Sequence, residues 1–159
     1  MELPGALENL KMSEISRVTR SKGDAKTSYD RMSRWYDLLV GESEKKYQDI
    51  GLQFLGLQPG ERVLEIGFGT GQAILLLSRS GGGTGQVVGL DISQGMLAVT
   101  RARVRGAGLA AKIELNCGDA ASLPFPEETF DAAFMCFTLE LFDTPEIPIV
   151  LKECRRVLL

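Results

Sequence analysis

The chain has 159 residues, of which 44% are hydrophobic and 25% charged, and its formal net charge is −3. That length suits one globular domain with a sizeable core and is too short for two. The slight acidity gives no basic field for a phosphate backbone, which disfavours nucleic acid as the main partner, and no apolar run approaches the roughly 20 residues of a membrane helix.

Residues 1–26 mix Lys, Arg, Ser and Glu with little periodicity and are expected to form a flexible arm. Met1–Leu10 carries acids and no long apolar core, unlike a signal peptide. From Thr27 the spacing turns helical, with Tyr29, Met32, Trp35, Tyr36 and Leu39 at three- and four-residue steps. A second helix is expected from about Ser43 to Leu57, with Tyr47, Ile50, Phe54 and Leu57 on one face, ended by Pro59-Gly60. Strand and helix then alternate. Arg62–Ile66 reads as a strand, Gly67–Gly71 as a glycine turn, Gln72–Ser80 as a helix and Gly81–Gly85 as a loop. Gln86–Asp91 is the second strand, and Ser93 is placed to cap a helix ending near Gly106–Gly108. Lys112–Asn116 and Phe130–Phe137 are the third and fourth strands, and a last helix runs from about Thr144 through Val157. Such alternation, with nearly continuous apolar strands, predicts an α/β fold whose parallel sheet is covered on both faces.

Cys117, Cys136 and Cys154 are scattered and odd in number, which suggests free thiols in a reducing, cytoplasmic compartment. The sequence has no histidine. It therefore lacks the commonest zinc ligand and the commonest general base, and no metal is expected.

The chemistry-bearing segment is Val63-Leu64-Glu65-Ile66-Gly67-Phe68-Gly69-Thr70-Gly71. Glycines there permit a tight turn and let a ligand reach the backbone, while the next helix aims free N–H groups at it. Twenty residues after Gly71, Asp91 ends the second strand, suited to accepting from ribose hydroxyls. A plainer reading stays open, in which the glycines only close a turn and Asp91 caps a helix. A dinucleotide fingerprint needs a glycine where Gln72 stands. Glu65 would also repel a pyrophosphate but suits an ammonium or sulfonium cation.

Val63–Gly71 resembles motif I of class I S-adenosylmethionine-dependent methyltransferases, and Gly89-Leu90-Asp91-Ile92-Ser93 resembles their second motif. Gly118-Asp119-Ala120, Leu123-Pro124-Phe125-Pro126 and Phe130-Asp131 resemble the third motif and fourth strand. Tyr29-Asp30 and Tyr36-Asp37 are similar to a helical pattern of the ubiquinone/menaquinone-biosynthesis branch. The resemblance covers about residues 27–159. It implies a Rossmann-like, doubly wound sheet at 61–159 under a helical lid at 27–57, with S-adenosyl-L-methionine as cofactor and a small or lipid-like methyl acceptor.

Position by position, the resemblance implies that Glu65 and the backbone of Gly67, Phe68, Gly69 and Gly71 hold the methionine moiety. Asp91 would bind the ribose and Ile92 pack on the adenine. Asp119 would accept from the adenine amino group, and the Ala120 N–H would meet a ring nitrogen. Phe137 and Thr138 would lie beside the methyl group, with Tyr29 and Tyr36 closing over the cofactor or serving as core. No catalytic residue is assigned. The family continues past Leu159 with a Pro-Gly-Gly turn and further strands, so the chain reads as a truncated member. Its fourth strand is then expected to be an open apolar edge through which copies associate. Two rivals remain, a cofactor-binding module without catalysis and a nicotinamide-dependent oxidoreductase.

Overall fold

The computed structural model describes residues 36–80 and 83–159. Helix α1 (Tyr36–Leu55) precedes strand β1 (Arg62–Ile66), helix α2 (Gln72–Leu77), strand β2 (Gln86–Asp91) and helix α3 (Gln94–Gly106). Strands β3 (Ile113–Cys117) and β4 (Ala132–Phe134), two 3-10 turns at Leu139–Leu141 and Thr144–Glu146, and helix α4 (Ile147–Val157) follow. The strands form one sheet in the order β3-β2-β1-β4, all parallel. Reversal of direction on either side of β1 opens a crevice at the carboxyl ends of the strands, where ligands of such sheets bind.

Alternation along β1 divides the core. Val63 joins Ala73, Ile74 and Leu77 of α2, Met96, Leu97 and Val104 of α3, and Phe134 of β4. Leu64 and Ile66 face the other way, onto Val150, Cys154 and Val157 of α4 and onto Leu123 and Phe130. Each face therefore has its own helix layer, as a doubly wound sheet requires. Burying a side chain such as Leu64 or Phe130, neither with any exposed surface, stabilises the fold by about 1.5–3 kcal/mol.

Three expectations change. The two expected N-terminal helices do not break near Ser43, because α1 runs unbroken through Gly41, Glu42 and Ser43. Its expected apolar face also points away from the core, with Tyr47, Ile50 and Phe54 exposed, Phe54 at 88%. The inward stripe holds Leu52 and Leu55 and Gly51, where an added Cβ would stand 3.1 Å from the Phe134 ring. A side chain on Gly51 would crowd that ring, so the glycine favours the close approach of α1 to β4. Finally, β4 spans three residues instead of eight. Phe130 meets Leu158 in an isolated parallel bridge, Asp131 exchanges hydrogen bonds with the Arg62 backbone, and Phe137 takes φ 53, which a strand does not accommodate.

Candidate functional site

The crevice is built on the turn after β1. Gly67, Gly69 and Gly71 all have positive φ, at 74, 52 and 85. At Gly67 and Gly71 there is also no room for a side chain. A Cβ on Gly67 would lie 2.4 Å from both Thr138 Oγ1 and Cγ2, and one on Gly71 would lie 2.6 Å from Thr100 Cγ2. Thr100, fully buried on α3, donates its hydroxyl to the Gly69 carbonyl at 2.8 Å. The turn is thus clamped between α3 and the segment after β4. Phe68 turns its ring into the core and is 3% exposed, packing where a Cβ on Gly89 would come within 2.7 Å. Its backbone stays in the turn, accepting from the Gly71 N–H at 2.8 Å.

Asp91 ends β2 beside this turn. Its carboxylate accepts from the Gly69 N–H at 2.9 Å and from the Ser93 N–H at 2.8 Å. Ser93 in turn caps α3, its hydroxyl accepting from the Met96 N–H at 3.1 Å. The capping alternative for Asp91 is therefore partly right, since the same carboxylate orders both the turn and the approach to the helix. Ile92, half-buried, follows it.

Glu65 is the most unusual group. It is 3% exposed, and its Oε2 is buried with no hydrogen-bond partner. Burial, and then the negative charge of Asp91, push its carboxyl up to about 8. A carboxyl so placed is neutral at pH 7 and gains strongly from an arriving cation.

From β3, the chain reaches Asp119, whose Oδ1 accepts from the Ala121 N–H at 2.9 Å, with Ala120 buried behind it. This loop is anchored by α4. Arg156 holds Glu153 through two hydrogen bonds of 2.8 and 2.7 Å and donates to the carbonyls of Phe125 and Leu123. Glu153 accepts from the Leu123 N–H, and the Arg156 hydrogen bond leads the causes that hold its carboxyl down, at about 2. Beyond β4, Thr138 is buried against Gly67, while Phe137 is 42% exposed and meets Tyr47 of α1 edge-on at 5.9 Å.

Glu65, Gly67, Gly69, Gly71, Asp91, Ile92, Asp119, Ala120, Phe137 and Thr138 therefore all lie at or just beyond the carboxyl ends of β1–β4. Tyr29 lies outside the described residues. Tyr36 opens α1, its side chain outside them too. Sequence reasoning missed Thr100. Thr100 shares a helical register with Met96, Leu97 and Val104, so a polar residue on a buried stripe was the available signal. Among the described residues no group of three His, Cys, Asp or Glu side chains is disposed to hold a metal. Nor is any described helix long and apolar enough to cross a membrane.

Comparison with known proteins agrees with this geometry. Residues 63–159 match the family described as a methyltransferase domain. The chain is 35% identical over 134 residues to the 2-phytyl-1,4-naphtoquinone methyltransferase of Synechococcus elongatus, covering 82% of this chain and 57% of that protein. It is 36% identical over 138 residues to the ubiquinone/menaquinone biosynthesis C-methyltransferase of Ectopseudomonas oleovorans, covering 87% and 76%. Among solved structures, the [4+2]-cyclase SpnF superposes with a TM-score of 0.78 at 25% identity, covering 87% of this chain and 57% of that one. The chain thus spans little more than half the length of the Synechococcus relative.

Proposed function

This chain belongs to the class I S-adenosylmethionine-dependent methyltransferases, in the ubiquinone/menaquinone-biosynthesis branch, and from that premise we propose that it binds S-adenosylmethionine at the glycine turn and directs its methyl group to a quinone-type, lipid-like acceptor. The observation carrying this reading is the sealed, unpartnered Oε2 of Glu65 beside Asp91. Those two acids beside an open backbone suit a ligand that is cationic at one end and carries ribose hydroxyls at the other. The turn carries Gln72 where a dinucleotide fingerprint has its third glycine, so NAD is the poorer fit.

In this reading Glu65 and the backbone of Gly67–Gly71 take the methionine end, Asp91 the ribose, and Ile92, Asp119 and the Ala120 N–H the adenine. Phe137 and Thr138 border the reacting end, and Tyr29 and Tyr36 belong to the closing segment. The bound cofactor supplies an electrophilic methyl group, while these residues orient it and keep water away. A cytoplasmic location belongs to the same proposal.

A second reading, a cofactor-binding module without methyl transfer, draws support from the superposition on a protein titled a [4+2]-cyclase. Titration calorimetry with S-adenosylmethionine, S-adenosylhomocysteine and NAD tests the first reading. A response to NAD alone overturns it. Methyl release onto a prenylated demethyl-naphthoquinol in detergent then separates the two, because binding without transfer leaves only the second.

A further inference from the structure

We propose that Gln48 of α1 is a further ligand-contacting residue, its side-chain oxygen accepting, together with Glu65, a hydrogen bond from the ammonium of a bound amino-acid moiety. The inference rests on the cofactor reading above and adds a residue that the glycine-turn motifs do not contain.

Gln48 is 8% exposed, an unusual state for a glutamine on an outer helix. Its Oε1 is buried and accepts from nothing. Among the described residues the other buried side-chain atoms in that condition are Arg62 Nε and Glu65 Oε2. Arg62 begins β1, at the opposite end of the strand from the crevice, with its guanidinium over the Phe130 ring at 5.0 Å. Glu65 stands next to the last residue of β1, and Gln48 lies on α1 between the residues that meet Phe137 and Phe134.

Helix geometry brings them together. Tyr47 meets Phe137 just beyond β4, and Gly51 lies against the Phe134 ring. Between these contacts α1 crosses the end of β4, and Gln48 stands one turn before Gly51 on the same inward stripe. Phe134 is the register partner of Glu65. Paired residues of neighbouring parallel strands share a face, so Glu65 rises beside Phe134 toward the underside of α1.

Two buried acceptors without a donor define what they fit. A carboxylate or phosphate brings no donor for the Gln48 oxygen and keeps Glu65 protonated, and a hydroxyl brings one donor for two oxygens. An ammonium brings three N–H groups and a charge that Glu65 requires. S-adenosylmethionine carries such a group on its amino-acid arm, and 5′-methylthioadenosine has the same nucleoside without that arm.

The test is calorimetry on the full chain with both compounds. Gln48→Met keeps the length of the side chain and removes the acceptor. A hydrogen bond between a charged and a neutral partner is worth about tenfold or more in affinity. S-adenosylmethionine should therefore bind at least that much more weakly, and methylthioadenosine unchanged. The ligand-free variant should melt no lower than the parent, since an unpaired buried polar atom has been removed. Equal losses for the two compounds, as expected if Gln48 merely supports the packing around the whole site, overturn the inference, as does unaltered S-adenosylmethionine binding. If the Met variant does not fold, Gln48→Glu and Gln48→Lys carry the test. The Glu variant should retain S-adenosylmethionine and the Lys variant lose it, and any other order overturns the proposal. An unsubstituted chain that binds neither compound instead overturns the cofactor reading itself.

Discussion

The backbone N–H of Gly69 donates to Asp91 Oδ2 at 2.9 Å, joining the turn after β1 to the end of β2 across 22 residues. The other oxygen of the same carboxylate takes the Ser93 N–H. Asp91 is therefore engaged with the protein backbone before any ribose reaches it.

That double engagement shapes the first prediction. Hydrogen bonds to a charged acceptor contribute roughly 1.5–3 kcal/mol each, so Asp91→Ala should weaken S-adenosylmethionine binding by about tenfold to several hundredfold. It should also lower the melting temperature, because the turn loses its tether. Asp91→Asn keeps one acceptor and should lose less of both. Calorimetry and thermal melts side by side give the answer, and an Ala variant with unchanged affinity would leave Asp91 a purely structural acid.

Glu65 makes stability depend on pH in an uncommon direction. Its folded carboxyl sits near 8 against an ordinary 4.5. Between those values the folded chain holds a proton that the unfolded chain has released. This contribution is complete below about pH 4.5, declines as pH rises, and is gone above about pH 8. Glu65→Gln should remove that decline from a plot of unfolding free energy against pH. Binding a cationic ligand should release a proton near pH 7, visible as a dependence of the calorimetric heat on the buffer's ionisation enthalpy. A heat independent of the buffer would show that Glu65 is ionised without ligand.

Gly67→Ala combines two costs. The new Cβ meets Thr138 at 2.4 Å, and φ of 74 is unfavourable for alanine by roughly 1–2 kcal/mol. The variant should be destabilised and lose cofactor affinity. Adding Thr138→Ala removes the colliding hydroxyl and methyl, so stability should recover in part. Recovery that is complete would mean the backbone strain contributes nothing.

At the sheet's margin, part of the outer side of β4 is already occupied. Glu128, Thr129 and Phe130 donate backbone N–H groups to the carbonyls of Arg156 and Val157, and Leu159 donates to Phe130. Among the described residues, the stretch of that side left without a strand partner is Ala132–Phe134, shorter than the sequence suggests. Self-association through it should be weak and concentration-dependent in light scattering across a dilution series. A monomer at every concentration, with slow amide exchange along those three residues, would refute it.

No metal is expected to take part in cofactor binding. Dialysis against a chelator should leave the affinity unchanged, and a stoichiometric metal in the purified chain would count against this.

The strands flanking the site were legible because their borders are chemically abrupt. β1 stops where Gly67 begins, and β2 ends at Asp91, both where the residues indicate. Ser93 announced α3 by its hydroxyl and its position. The rotation of α1 was not legible, because Tyr47, Ile50 and Phe54 form the better apolar stripe by composition. The face that packs on the core instead carries Leu52 and Leu55, with Gly51 close over the Phe134 ring. β4 was overread for a related reason. Apolar residues run from Phe134 to Phe137, but the last takes a left-handed φ to bring Thr138 against Gly67. A lone glutamine on a surface helix gives no hint of burial until the register is fixed, so Gln48 stayed hidden.

Thr100 has a consequence for the tempo of binding. By fastening the Gly69 carbonyl from behind, it holds the turn in shape independently of any ligand. Little backbone ordering is then left to the moment of encounter, which is one of the entropic costs of association. Capture should proceed at a similar rate in variants of the residues that grip the ligand, and their differences should emerge in residence time. Removing the hydroxyl of Thr100 should be the exception, because the turn would lose that fastening and capture itself should slow.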